Sequence, residues 1–265
     1  SKFQNQLILI TGASSGIGEA IALAFSRHKA KVLLTARDAQ ALNKVREACL
    51  AAGAAEAHVY PVDVTDDAQM AALAQTVQAK HGVLDVLINN AGAVMAGFFV
   101  EVPLADWQHM FNLNVFGVVR GCQQFLPAMM KQKKGHVVLV ASAAGLSGQR
   151  GMSTYCASKF ALVGMAESLR AELHRSRIGV TTVCPGYVRT PIQHKAKMVG
   201  SMDNDQARAR VAKTFEQGVT ADAVAQRVLQ AITKNEALVT IGRDAWMART
   251  LKRWAPSVLE RYSRG

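Results

Sequence analysis

The sequence predicts a doubly wound α/β fold: a single domain with a central parallel sheet and helices on both faces. Three observations carry that prediction. Short apolar runs rich in β-branched residues alternate with longer helix-period patterns, six strands in all. No composition break, internal repeat or low-complexity stretch interrupts the alternation. Glycine or polar signals sit at the carboxyl ends of the strands, where parallel sheets of this kind bind ligands.

The first strand is Gln6-Leu7-Ile8-Leu9-Ile10-Thr11. It runs into Gly12-Ala13-Ser14-Ser15-Gly16-Ile17-Gly18 and a helix from Glu19 to His28. A strand, a glycine turn and a helix amino end together form an anion site, because backbone N–H groups and the positive end of the helix dipole converge there. The spacing is Gly-x-x-x-Gly-x-Gly, which differs from the standard dinucleotide fingerprint but suits a pyrophosphate in this position. The second strand, Lys31–Thr35, ends at Ala36-Arg37-Asp38. An acid at this place binds the ribose hydroxyls of NAD, whereas the Arg37 guanidinium suits the 2′-phosphate of NADP. We therefore expect NADP(H), with NAD(H) kept open by Asp38.

A helix over about Ala39–Ala52 leads to a strand at His58–Val62 and then to Asp63 and Val64. Asp63 either accepts a hydrogen bond from an adenine amino group or caps the following turn. Thr65 and Asp66 open the next helix with N-cap chemistry. The fourth strand, Leu84–Ile88, ends at Asn89-Asn90-Ala91-Gly92, small and amide-bearing residues that let a ligand lie against the backbone. A long helical pattern spans Leu104–Met130. Asn114 stands inside it among Val115, Phe116 and Val118, where asparagine competes for backbone hydrogen bonds. The fifth strand, His136–Ala141, ends at Ser142. The sixth, Gly179–Cys184, is stopped by Pro185-Gly186, with Tyr187, Val188 and Thr190 following.

Tyr155-Cys156-Ala157-Ser158-Lys159 begins the helix between them. Residues four apart share a helix face. A lysine ammonium held near a phenol favours the phenolate and lowers its pKa from about 10, so the pair reads either as an acid/base at Tyr155 near neutral pH or as a surface helix with a tyrosine at its rim.

Taken together, Thr11–Gly18, Asn89–Gly92, Asn114, Ser142, Tyr155–Lys159 and Pro185–Thr190 resemble the classical short-chain dehydrogenase/reductase family in order and spacing, with thirteen residues from the serine to the tyrosine. The likeness is close over residues 6–190 and loose over 220–242. It implies a Rossmann-type domain over 1–242, with a substrate lid at about 191–218. It implies that Tyr155 is the acid/base, that Lys159 lowers its pKa and holds the nicotinamide ribose, and that Ser142 polarises the substrate oxygen. Asn114, through its backbone carbonyl at a helix irregularity, would hold a water linking Lys159 to solvent. Gly12, Ser14, Ser15, Gly16, Ile17 and Gly18 would hold the pyrophosphate and adenosine side, with Arg37 at the 2′-phosphate. Asp63 and Val64 would meet adenine, Asn90, Ala91 and Gly92 the central ribose, and Pro185, Gly186, Val188 and Thr190 the nicotinamide. The helices around Phe111–Phe125 and Ala161–Leu173 are the family's usual dimer faces, so a homodimer or homotetramer is implied. Many NADP-using relatives carry a basic residue where this chain has Ser15, which leaves Arg37 as the main contact to the phosphate.

Met95, Phe98, Leu146, Met152 and Tyr187, with Val188, are expected as substrate walls, and their apolar character favours a hydrophobic ketone or secondary alcohol. The lid carries His194, Lys195, Lys197, Arg208, Arg210 and Lys213. That basic run would also suit a 3-oxoacyl thioester on acyl carrier protein or CoA. A non-catalytic dinucleotide sensor is the rival of another class, and the joint presence of Asn114, Ser142, Tyr155 and Lys159 argues against it.

The 265 residues suit one α/β domain, half of them are hydrophobic, and the net charge is +12. No apolar run approaches the ~20 residues of a membrane span. The amino end enters a strand directly, so no signal peptide is expected, and Cys49, Cys122, Cys156 and Cys184 show no metal or disulfide spacing. A cytoplasmic protein without a metal is the expectation. No nucleic-acid module accompanies the basic charge. About half the charge excess lies in residues 191–265, with 13 Lys/Arg against 7 Asp/Glu. From Arg243 a basic amphipathic extension, 243–265, places Met247, Leu251, Trp254 and Val258 at helical spacing among Arg249, Lys252, Arg253, Arg261 and Arg264, with a break at Pro256. Packing within the chain or against a partner subunit is favoured over contact with an anionic membrane surface.

Overall fold

The computed structural model describes residues 2–192 and 196–263, with side chains through Leu259. His194, Lys195 and Arg264 lie outside the described residues, and so does the side chain of Arg261.

The first strand, β1 (Leu7–Thr11), alternates its side chains across the sheet. Ile8 and Ile10 face one core, and Leu7 and Leu9 the other. Both sides are buried, so the strand reads as a continuous apolar run. The same division recurs in β2 (Lys31–Ala36), where Val32 and Leu34 oppose Leu33, and in β4 (Val86–Asn89), where Val86 and Ile88 oppose Leu87. The remaining strands are β3 (Glu56–Pro61), β5 (Gly135–Val140), β6 (Ile178–Pro185) and β7 (Leu238–Ile241). All seven run parallel in the order β7-β6-β5-β4-β1-β2-β3. In register, Ile8 pairs with Val32 on one side and Val86 on the other. The seventh strand was not among the six read from the sequence: Leu238-Val239-Thr240-Ile241 is short and lies beyond the clear alternation.

The first core packs α1 (Gly16–Arg27), α2 (Ala39–Ala51) and α8 (Ala221–Lys234) on one face, through Ile21, Phe25, Leu42, Val45, Val224 and Val228. The second packs α3 (Asp67–His81), α5 (Gly117–Gln132) and α6 (Ser153–Glu172) on the other, through Met70, Leu73, Phe125, Met129, Leu162 and Ala166. The sheet is therefore doubly wound, as expected.

The helix expected over Leu104–Met130 divides. After α4 (Leu104–Phe111) the backbone widens into a π-helical turn at Asn112–Phe116 before α5 begins. α7 (Asp205–Glu216) lies in the basic segment, and α9 (Arg243–Trp254) and α10 (Pro256–Ser263) form the tail. Pro256 separates these last two and occupies the first position of α10, where its missing N–H costs nothing.

Candidate active site

The strand order reverses between β1 and β4. A cleft opens there at the carboxyl ends of the strands, with a volume of about 1000 Å³. Its walls at one end come from the turn after β1. Gly12 has φ +64°, and a Cβ there would sit 2.9 Å from Ala91 Cα. Only glycine satisfies both the left-handed backbone and the close approach. Ser15 is the N-cap of α1, yet its side chain makes no capping bond, whereas Asp38, Asp66, Asn204 and Thr220 cap α2, α3, α7 and α8. The first N–H groups of α1 thus face the cleft without a side-chain acceptor, and this geometry fits an anionic cofactor group.

Gly12, Ser14, Ser15, Gly16 and Ile17 line this end with Arg37, Asp63, Val64, Asn90, Ala91 and Gly92. Gly18 does not: a Cβ on it would collide with the Gly12 carbonyl, so it holds α1 against its own turn. Asn90 ties the two strand ends together, its Nδ2 donating to Thr11 O at 2.9 Å and Gly12 O at 3.1 Å. Asp63 caps its turn, because Oδ1 accepts from Thr65 N and Thr65 Oγ1 at 2.9 and 2.8 Å. Arg37 is exposed at the rim, and Asp38 is committed to α2, accepting from Ala41 N at 3.0 Å.

At the other end of the cleft Ser142, Tyr155 and Lys159 converge. Ser142 leaves β5 in extended backbone, and its Oγ accepts from Ala144 N at 3.1 Å. Tyr155 stands in the first turn of α6. Burial pushes its phenol up to about 12, a hydrogen bond with Ser142 opposing the rise. This corrects the expectation of a phenol lowered by Lys159. The ammonium lies 5.8 Å from the Tyr155 ring centroid and donates to Val140 O at 3.0 Å. Burial in turn lowers Lys159 to about 8. Desolvation is the largest cause for both groups.

Asn114 sits behind this group, fully buried in the π-helical turn. Its Oδ1 accepts from Ala93 N at 2.9 Å, and its Nδ2 lies 3.0 Å from both Ala93 O and Ser158 Oγ. It clamps the segment after β4 to α6. A Cβ on Gly92 would lie 3.0 Å from Asn114 Oδ1 and 3.5 Å from Lys159 Nζ, which measures how closely the three elements meet.

Pro185, Gly186, Tyr187, Val188 and Thr190 line the cleft beyond β6, and Met95 and Met152 complete the expected walls. Phe98 and Leu146 do not line it. Phe98 lies under the Arg150 guanidinium, 5.4 Å away, and Leu146 belongs to the second core. Sequence reasoning missed Met198 and Met202 in the segment before α7, and Met110, Phe215, Met247 and Leu251, which carry the apolar lining onto α4, α7 and α9. Their helical spacing was legible, but which face meets the cleft is a tertiary fact. Asp244 was missed as well. Its Oδ2 accepts from Tyr187 N at 2.9 Å, so the start of α9 fastens the loop after β6.

Over 268 residues the chain is 33% identical to the probable oxidoreductase EphD of Mycobacterium tuberculosis, covering 99% of this chain and 45% of that protein. The chain thus spans about half the length of that relative. It is 35% identical over 269 residues to the Drosophila melanogaster dehydrogenase/reductase SDR family protein 7-like, covering 97% of this chain and 80% of that one. A crystal structure of a short-chain dehydrogenase/reductase from Burkholderia phymatum in complex with NAD superposes with a TM-score of 0.87 at 29% identity, covering 97% of this chain and 96% of that one. The family described as short chain dehydrogenase matches residues 6–199, and this chain belongs to the short-chain dehydrogenase/reductase family.

Proposed function

We propose that this protein is an NADP(H)-dependent oxidoreductase that interconverts a hydrophobic ketone and its secondary alcohol. The observation that carries the reading is the meeting of Ser142 and Tyr155 in a cleft whose far walls are methionine, phenylalanine and leucine. In this reading the Ser142 hydroxyl and the Tyr155 phenol hold the substrate oxygen. Tyr155 gives its proton to that oxygen in reduction and takes it back in oxidation. Lys159 supplies positive charge behind the phenol, and Asn114 keeps the segment after β4 fixed against α6. A bound nicotinamide supplies or accepts the hydride. NADP(H) is supported by Arg37, exposed at the rim, and by Asp38, whose carboxylate is engaged in capping α2. The four cysteines are free and buried, in keeping with a cytoplasmic reductase. Self-association through the helices around Phe111–Phe125 and Ala161–Leu173 is supported on the first of them by the half-exposed Phe116 beside a groove lined by Trp107 and Phe111.

Reduction assays with NADPH and NADH over bulky ketones, steroids and short 3-oxoacyl thioesters test the reading. Turnover of free ketones with NADPH is expected. Arg210 and Lys197, which also line the cleft, favour the second reading, a 3-oxoacyl thioester reductase. Turnover confined to thioesters would transfer the assignment to it. Tyr155→Phe should lower turnover by roughly 10²–10⁴-fold while leaving NADPH binding within about twofold, and unchanged turnover would remove Tyr155 from the chemistry.

A further inference from the structure

The tail helix α9 is amphipathic, but part of its apolar content points outward. Its inner side is accounted for: Ala245 and Ala248 are buried, Leu251 faces the cleft, and Lys252 Nζ rests 4.0 Å from the Phe160 ring centroid. Its outer side carries Trp246, 60% exposed, and Trp254, 76% exposed, with Val258 at 51% continuing into α10. At about 3.6 residues per turn, Arg243, Trp246, Thr250, Arg253 and Trp254 fall within one arc of roughly 100°. Arg243 and Arg253 are exposed there, and the Arg253 guanidinium lies 5.4 Å from the Trp254 ring. The one carboxylate of α9, Asp244, is turned inward onto Tyr187 N.

We propose that the outer face of α9, with Val258, docks the protein on an anionic lipid surface. Indole rings settle at the headgroup level of a bilayer, and guanidinium groups pair there with lipid phosphate. The basic excess of residues 191–265 acts in the same direction over a longer range. A second copy of this chain is a poorer occupant. A twofold contact through this face would bring the same arginines together with no carboxylate of α9 to meet them. No helix among the described residues is long and apolar enough to cross a membrane, so the association is peripheral. Because Met247 and Leu251 of the same helix line the cleft, docking sets one cleft wall beside the bilayer, where apolar molecules partition.

The test is co-sedimentation of the full chain with vesicles of phosphatidylcholine alone and of phosphatidylcholine mixed with phosphatidylglycerol, in low and high salt. Binding is expected to the mixed vesicles, with a blue shift of tryptophan fluorescence and weakening in high salt. The double variant Arg243→Glu/Arg253→Glu should bind at least about 30-fold more weakly, since each basic residue near the surface counts for about a fivefold factor. Trp246→Ser/Trp254→Ser should lose the blue shift. Circular dichroism and NADPH binding confirm that both variants are folded. Absence of binding to the mixed vesicles would overturn the proposal, as would equal binding by the folded charge-reversal variant. A change in oligomeric state in the tryptophan variant, with lipid binding intact, would assign the face to self-association instead.

Discussion

Tyr155 and Lys159 lie a turn apart on one helix, yet burial moves their pKa values in opposite senses, toward a neutral pair. The phenol rises to about 12 and the ammonium falls to about 8. In the cofactor-free protein, tyrosinate formation that disappears in Tyr155→Phe should therefore appear only well above pH 10, as read by ultraviolet difference titration. Lys159 gives a stability prediction with a definite sign. Its folded pKa is about 8 against an ordinary 10.5, so the unfolded chain holds more protons between those values and stability rises with pH across that window. At pH 7 the buried charge is a net cost. Lys159→Met should raise the unfolding free energy at pH 7 by roughly 1–3 kcal/mol, the gain shrinking above pH 8, while turnover collapses. Urea denaturation at pH 7 and pH 9 measures both. At the rim, Arg37→Asp should raise the KM for NADPH at least about tenfold more than that for NADH, the loss of a charge-assisted phosphate contact. Equal effects on the two cofactors would remove Arg37 from the 2′-phosphate.

At the scale of elements, the π-helical turn at Asn112–Phe116 shows what an asparagine can impose on a helix. Asn114 meets both the N–H and the C=O of Ala93. Asn114→Ala would leave those groups without this partner and should cost about 1–3 kcal/mol, with an unchanged denaturant slope if the fold is retained. A smaller loss would mean that the segment after β4 is held by other contacts. The misfit of asparagine inside an apolar helix was visible in the sequence, but its partner on another element was not. The same division applies to α9. Its amphipathic spacing is plain in the sequence, while the inward turn of Asp244 toward Tyr187 and the outward turn of Trp246 depend on how the helix rolls against β7 and the loop after β6.

Across the whole molecule, the two cores are built on opposite faces of one sheet, and few polar groups interrupt them. His136 on β5 is one of these. Its Nε2 lies 2.8 Å from Thr181 Oγ1, and burial, aided by the charges of Arg170 and Lys2, lowers its pKa from 6.5 to about 4. The unfolded chain binds the proton first as pH falls, so stability is lost between pH 6.5 and about 4, by about 3 kcal/mol at the lower end. Unfolding free energies of wild type and His136→Gln across that range should converge at acid pH, and parallel curves would show that His136 is not the group responsible.

The sequence by itself determined the class of fold, because β-branched apolar runs between helix-period patterns form a parallel sheet buried on both faces, and six strands with a glycine turn after the first suit a doubly wound arrangement. It also determined which residues stand at the strand ends, since turns after parallel strands need glycine and polar side chains that announce themselves locally. Tertiary structure alone decided which of those residues meet. Leu146 went to the core and Met247 to the cleft although both are apolar residues near the site, because helix roll and layer packing choose the face. Tertiary structure also decided the ionisation of Tyr155 and Lys159, because desolvation depends on everything packed around a group and leaves no mark in the spacing of the residues themselves.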